Sequence, residues 1–246
     1  GGATVDMGAK FSFGFGDETK TTCIQVEVPI VSKLVSMKLW SAVYEKYSVQ
    51  PELAIKRGMT NNIYNGSGMG DIYVQTKIRL LKETIHIPNL ILYTTIKTSS
   101  GSGFTERRYF NTAGYNFSIE SGKSYKIKNK ITDEIRWVNT IGFMCWETIN
   151  HTQNDAILYA TKIIISKKKM EWEGGISGYS GWMHSHAQFG SNYGDQPVVI
   201  NTRLSFKNNK NKYNLNYQYG LRDFPYHEIK AGIQLTSNKL TPKNRE

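Results

Sequence analysis

A closed antiparallel β-barrel of about twelve membrane-crossing strands is the fold this sequence predicts, and three features predict it. Side chains alternate apolar and polar in segment after segment, with period two and no competing helical period. The segments run to about 10 to 13 residues, longer than the five or six usual in soluble sheets and matched to the about 9 to 11 that cross a hydrocarbon layer at a tilt. Their polar faces carry charge at mid-strand, at Lys38, Lys77, Arg79, Glu171, Glu173, Arg203 and Arg222. Such a pattern suits an aqueous interior better than the core of a soluble sandwich.

In chain order, residues 3–15 set Val5, Met7, Ala9, Phe11, Phe13 and Phe15 against Thr4, Asp6, Gly8, Lys10, Ser12 and Gly14. Residues 22–30 set Ile24, Val26, Val28 and Ile30 against Cys23, Gln25, Glu27 and Pro29, and residues 35–44 set Val35, Met37, Leu39 and Val43 against Ser36, Lys38, Trp40 and Tyr44. A fourth segment, 71–80, puts Ile72, Val74, Ile78 and Leu80 opposite Asp71, Tyr73, Gln75, Lys77 and Arg79. Weaker alternation over 90–99, 115–122, 135–147, 156–166 and 170–182 supplies five more strands. The last three are 198–206, 213–222 and 228–235, with Leu204, Leu215 and Ile229 on the apolar face and Arg203, Asn216 and Lys230 on the other. Trp172 and Trp182 fall ten residues apart on one face, which a tilted strand separates vertically by about 25 Å, the spacing of two interfacial aromatic girdles.

Composition sets the outer limits. The 246 residues hold 39% hydrophobic and 12% aromatic side chains, which excludes a disordered tail, and no apolar run approaches the ~18 residues of a membrane helix. Cys23 and Cys145 lack metal-ligand spacing and read as free thiols, because strands two and seven of a twelve-strand ring are not neighbours. No charged n-region and apolar h-region opens the sequence, so we expect any secretory signal to be absent from it. With no linker or composition step, residues 1–246 read as a single barrel domain, with 236–246 as a polar C-terminal tail.

The connections alternate in character. Short lysine-rich turns at 32–34, 167–169 and 207–212 take turns with longer Gly- and Asn-rich loops at 48–70, 101–114 and 183–194, so both termini and the short turns are expected on the periplasmic side. That side collects Lys33, Lys82, Lys123, Lys126, Lys128, Lys130, Lys167, Lys168, Lys169, Lys207, Lys210, Lys212, Lys239, Lys243 and Arg245, the origin of much of the net charge of +11. A basic rim of this kind suits anionic lipid headgroups or an acidic protein partner. Lysines scattered around a ring of turns, with no interleaved aromatics, argue against nucleic acid.

Taken over nearly its whole length, the strand pattern resembles the small outer-membrane β-barrel proteins of Gram-negative bacteria. Within it, GMGDIYVQTKIRL at 68–80 is similar to the glycine–aspartate strand opening of the phenol-degradation (MetA-pathway) barrels. The resemblance implies a bacterial outer-membrane location with outer-membrane lipids as surroundings. The sequence departs from the pattern at its end, where such barrels often finish on an aromatic residue and this one runs on past Leu235 into polar residues.

Local motifs give little chemistry. NGSGMGD at 65–71 precedes a strand and opens no helix, so it reads as a flexible loop end rather than a phosphate loop. His184 and His186, with His151 in a loop on the same side, have the residue type and spacing to share a transition metal, although exposed loop histidines mostly hold none. His184, Ser185, Ser191 and Asn192 supply the residue types of a barrel-borne lipase, but adjacent residues on an extended chain point apart, and no strand offers a base and its orienter. No catalytic residue and no cofactor is therefore assigned.

What remains is the lumen. Glu171 and Glu173 are expected beside Lys162 and Arg203, with Glu27, Lys38, Lys77 and Arg79 on the other arc, forming a charge-paired polar network inside the ring. The sequence points first to a non-enzymatic accessory or interaction subunit of a larger outer-membrane assembly, its lumen occluded by that network. A narrow passive channel for small hydrophilic solutes is the alternative.

Overall fold

The computed structural model describes residues 2–31, 34–56, 59, 64–103, 109, 112–127, 131–146, 155–182 and 195–237. Its strands are β1 (Ala3–Gly14), β2 (Asp17–Val31), β3 (Val35–Val49), β4 (Asn65–Gly68), β5 (Tyr73–Leu81), β6 (Asn89–Lys97), β7 (Gly114–Lys126), β8 (Glu134–Trp146), β9 (Ala156–Lys167), β10 (Met170–Gly181), β11 (Val198–Asn208), β12 (Asn211–Arg222) and β13 (His227–Ser237). A short helix, α1 (Pro51–Lys56), lies in the connection after β3. Every pairing is antiparallel; β1 pairs with both β2 and β13, and β2 with β3, so the sheet closes on itself.

Thirteen strands make a twelve-membered ring because β4 and β5 act as one. Both pair with β3, and the register that puts Tyr73 opposite Trp40 continues to put Gly68 opposite Glu45. Around the ring the registers accumulate a stagger of about 14 residues, which at ~4.8 Å between strands and ~3.3 Å per residue gives a tilt of about 40° and a backbone diameter of about 24 Å.

The two faces segregate as the alternation demands. Outward lie Ile141, Ile163, Ile176, Leu204, Leu215 and Ile229, large apolar residues left open to their surroundings in a molecule whose fully buried apolar side chains are few. In water such a belt would be an aggregation surface; in a bilayer it is the solvated face. Trp172 (44% exposed) and Trp137 mark one end of the belt, and Trp182 (60% exposed), Tyr159 and Phe117 the other. Trp182 packs on Phe143 at 5.6 Å between ring centroids.

Several local features differ from the sequence expectation. The third strand runs on to Val49, and a register shift near its partner pair Thr22/Cys23 inverts its faces, so that Glu45, Tyr47 and Val49 turn inward and become buried. Residues 48–70, expected as loop, contain α1 and β4. Proline at the first position of α1 and Glu52 in its first turn suit a helix start, but six residues are too few to show a period. Leu53 and Ala54 pack on Tyr47 and Val49 in a small apolar cluster at the loop end of the ring. Finally, β13 extends two residues into the expected tail, where Thr236 and Ser237 pair with Thr4 and Ala3.

Candidate functional site: the barrel lumen

Three levels can be distinguished inside the ring. At the mid-level, Glu173 on β10 accepts a hydrogen bond from Arg203 Nη2 on β11 at 2.6 Å and lies 3.7 Å from Lys162 Nζ on β9. The antiparallel register sets Glu173 directly opposite Arg203. Farther round, Glu228 on β13 accepts from Lys10 Nζ (2.7 Å) and Ser12 Oγ (2.8 Å), while Lys230 Nζ stands 3.9 Å from Asp6. On the other arc Glu27 accepts from Ser36 Oγ at 2.7 Å and lies 3.7 Å from Lys77 Nζ. Lys38 caps the Trp40 ring at 4.5 Å, which is itself stacked on Tyr73. Arg79 lies on the same inward face, opposite Ile91 on β6.

The eight residues named from the sequence are therefore all on the inner wall, but in separate groups rather than one network. Glu171 belongs with a residue outside that set: it accepts from Lys212 Nζ on β12 at 2.7 Å. Lys10, Asp6, Glu228, Lys230 and Glu120 also fall in the lumen, Glu120 as an acceptor from Tyr93 at 3.4 Å. Alternation alone marks each as polar-face; pairing them needs the register of β13 against β1, which no local pattern supplies.

The loop-end level centres on Asp71, which is only 1% exposed. It holds Lys97 Nζ at 2.6 Å and accepts the Gly101 N–H at 2.7 Å, while Lys97 also donates to the Thr112 carbonyl at 2.8 Å. Tyr109 donates to Glu45 at 2.9 Å. These bonds tie the connection after β6 to the inner wall, and the stretch expected as a flexible loop end is anchored by its own aspartate.

At the turn level, Glu83 accepts from Arg136 Nη1 at 2.5 Å and from the Ser124 N–H at 2.7 Å. Desolvation opposes ionisation of Glu83, but the bonds from Arg136 and Ser124 prevail and hold its carboxyl below the ordinary value. Asp133 is lowered by its bond from Lys167 Nζ (2.8 Å) and by that from the Lys168 N–H (2.9 Å).

Ion pairs in the wall follow one rule. Among the described residues each joins strands that are adjacent or separated by one other, so the charged side chains lie along the wall rather than across it. Cavities of about 420, 370 and 200 Å³ border the inner face. The 370 Å³ cavity is lined by Leu158, Ala160, Tyr179, Val199 and Phe224 with Ser177 and Thr140. His151, His184 and His186, and with them Ser185, Ser191 and Asn192, lie outside the described residues. Cys23 and Cys145 stand on β2 and β8, well separated in the strand order.

No family model matches this chain, and no curated protein matches it either. Solved structures match its shape. The NanC porin aligns over 95% of this chain and 100% of its own with a TM-score of 0.61 at 9% identity. An outer-membrane channel from Pseudomonas putida F1 aligns over 96% of each chain with a TM-score of 0.59 at 10% identity. The beta domain of the Bordetella autotransporter Brka covers 96% of this chain and 99% of its own, with a TM-score of 0.52 at 10% identity. At these identities the likeness is one of fold.

Proposed function

We propose that this outer-membrane β-barrel is a narrow passive channel for small hydrophilic solutes in a bacterial outer membrane. The observation that carries the reading is the direction of the lumenal ion pairs. Glu173 with Arg203, Glu228 with Lys10 and Glu27 with Lys77 are satisfied along the wall, which lines the interior with charge, and among the described residues no ion pair bridges the axis. Ring size agrees. Eight strands are just filled by their side chains and sixteen to eighteen leave a wide channel, so about twelve leave a restricted one. Two structural relatives are described as a porin and as a channel, which supports the same reading.

Liposome swelling tests it. Vesicles holding the refolded protein should swell in small sugars and stop doing so as the sugar grows. Vesicles with folded protein that never swell would return the reading to an accessory subunit with an occluded lumen, for which the lysine-rich rim supplies a docking face.

A further inference from the structure

We propose that the periplasmic mouth of the barrel contains a binding site for a phosphate group. The two-residue turns at 168–169 and 209–210 flank a cavity of about 420 Å³ whose lining includes Glu171, Ser205 and Lys212 of the inner wall. Lys168, Lys169, Lys207, Lys210 and Lys212 line it. The carboxylate that the described residues put in its wall, Glu171, is already engaged by Lys212 at 2.7 Å; Asp133 accepts the Lys168 N–H at 2.9 Å and offsets that lysine's charge, and among the described residues no carboxylate lies within ion-pair distance of Lys169, Lys207 or Lys210. A concave surface with several uncompensated cations focuses a positive potential that only an anion relieves.

The second observation is at the cavity wall. Ser205 is 2% exposed, faces inward between Glu171 and Asn214 in the register, and its Oγ meets no hydrogen-bond partner among the described residues. A buried hydroxyl without a partner is disfavoured, and this one lines the same cavity as the lysines. Lys168 also sits at φ 50°, a backbone conformation in which glycine or asparagine is less strained, so the turn keeps a cation at a cost.

Donor chemistry selects the ligand class. Lysines supplied by separate turns, with a hydroxyl in the wall between them, suit a tetrahedral anion that presents oxygens in several directions; a planar carboxylate would be better served by an arginine fork, and no arginine is among the described residues that line the cavity. The phosphate can belong to a small phosphorylated solute or to a phospholipid headgroup at the membrane surface.

This site goes beyond the channel reading, and binding at equilibrium tests it whether or not solute passes. Purified barrel in maltoside detergent, with folding of every variant checked by heat-modifiable migration, is titrated calorimetrically with inorganic phosphate and with glycerol 3-phosphate at constant ionic strength. Saturable binding is expected, weakened about tenfold or more by a Lys207→Gln, Lys210→Gln double substitution and several-fold by Ser205→Ala, but unchanged by Lys126→Gln outside the cavity. Repeating the titration in phosphatidylglycerol nanodiscs assigns the source: affinity lost there makes the headgroup the occupant, affinity retained makes it a soluble phosphate. Non-saturable heats, or equal weakening by Lys126→Gln and the double substitution, would overturn the proposal.

Discussion

Glu173 shows what a single side chain does in this wall. It is 8% exposed and shared by Arg203 and Lys162, so Glu173→Gln removes the counter-charge of two cations at once. Loss of a charge-assisted bond is worth roughly 1.5 to 3 kcal/mol, and that destabilisation should appear in urea-gradient unfolding of the barrel in lipid vesicles. Asp133 gives a pH dependence outside the membrane-spanning strands. Its folded-state pKa is depressed by Lys167 and the Lys168 N–H, so its contact is favourable above the ordinary aspartate value of 3.8 and is lost as pH falls through the lower, folded-state value. The Lys168 amide resonance should therefore titrate below that ordinary value, and the transition should vanish in Asp133→Asn. Gly220 is required for close approach rather than for an unusual φ: a Cβ there would meet the Phe224 carbonyl oxygen, so Gly220→Ala must displace the connection from β12 to β13.

At the scale of elements, the two faces of each strand should respond oppositely to charge. Ile176 on β10 and Leu215 on β12 are outward and 42% and 53% exposed, whereas Asn201 and Asn216 line the lumen. Arginine at either outward position should cost about 2 to 4 kcal/mol near the bilayer centre and much less at the inward pair, read from unfolding midpoints in vesicles. The interrupted strand formed by β4 and β5 depends on Asp71. Because Asp71 and Lys97 are 1% and 9% exposed, Asp71→Asn breaks a buried ion pair by removing one partner, at a cost of roughly 3 to 5 kcal/mol. The connection after β6 should then become accessible to protease from outside while the ring persists. Strands were legible in the sequence because one face of each meets lipid and the other water, which writes period two directly into residues such as Ile163, Lys162, Leu215 and Asn216. The inward turn of Glu45, Tyr47 and Val49 was not, since a bulge is a property of the pairing with β2 and leaves no local mark.

For the whole molecule, ring closure follows from the number and alternation of the strands, and was readable. The partners of the lumenal charges were less so: Glu173 beside Lys162 follows from the two-residue turn between β9 and β10, but Glu173 opposite Arg203 spans the long connection from β10 to β11, Glu171 with Lys212 spans two strand steps, and Glu228 with Lys10 joins β13 to β1. Orientation can be checked in a background lacking Cys23 and Cys145. A membrane-impermeant thiol reagent added to intact cells should label Ile55→Cys on α1 and leave Ile85→Cys, in the turn between β5 and β6, unlabelled. The channel reading itself is tested most directly by planar-bilayer recording of the folded barrel. Wild-type protein should give discrete, uniform current steps. Ala160→Trp, which fills the 370 Å³ cavity on the inner wall, should reduce them by roughly half or more, and Ile163→Trp on the lipid face should leave them unchanged. Silent membranes containing verified folded protein, or steps indifferent to Ala160→Trp, would contradict a conducting lumen.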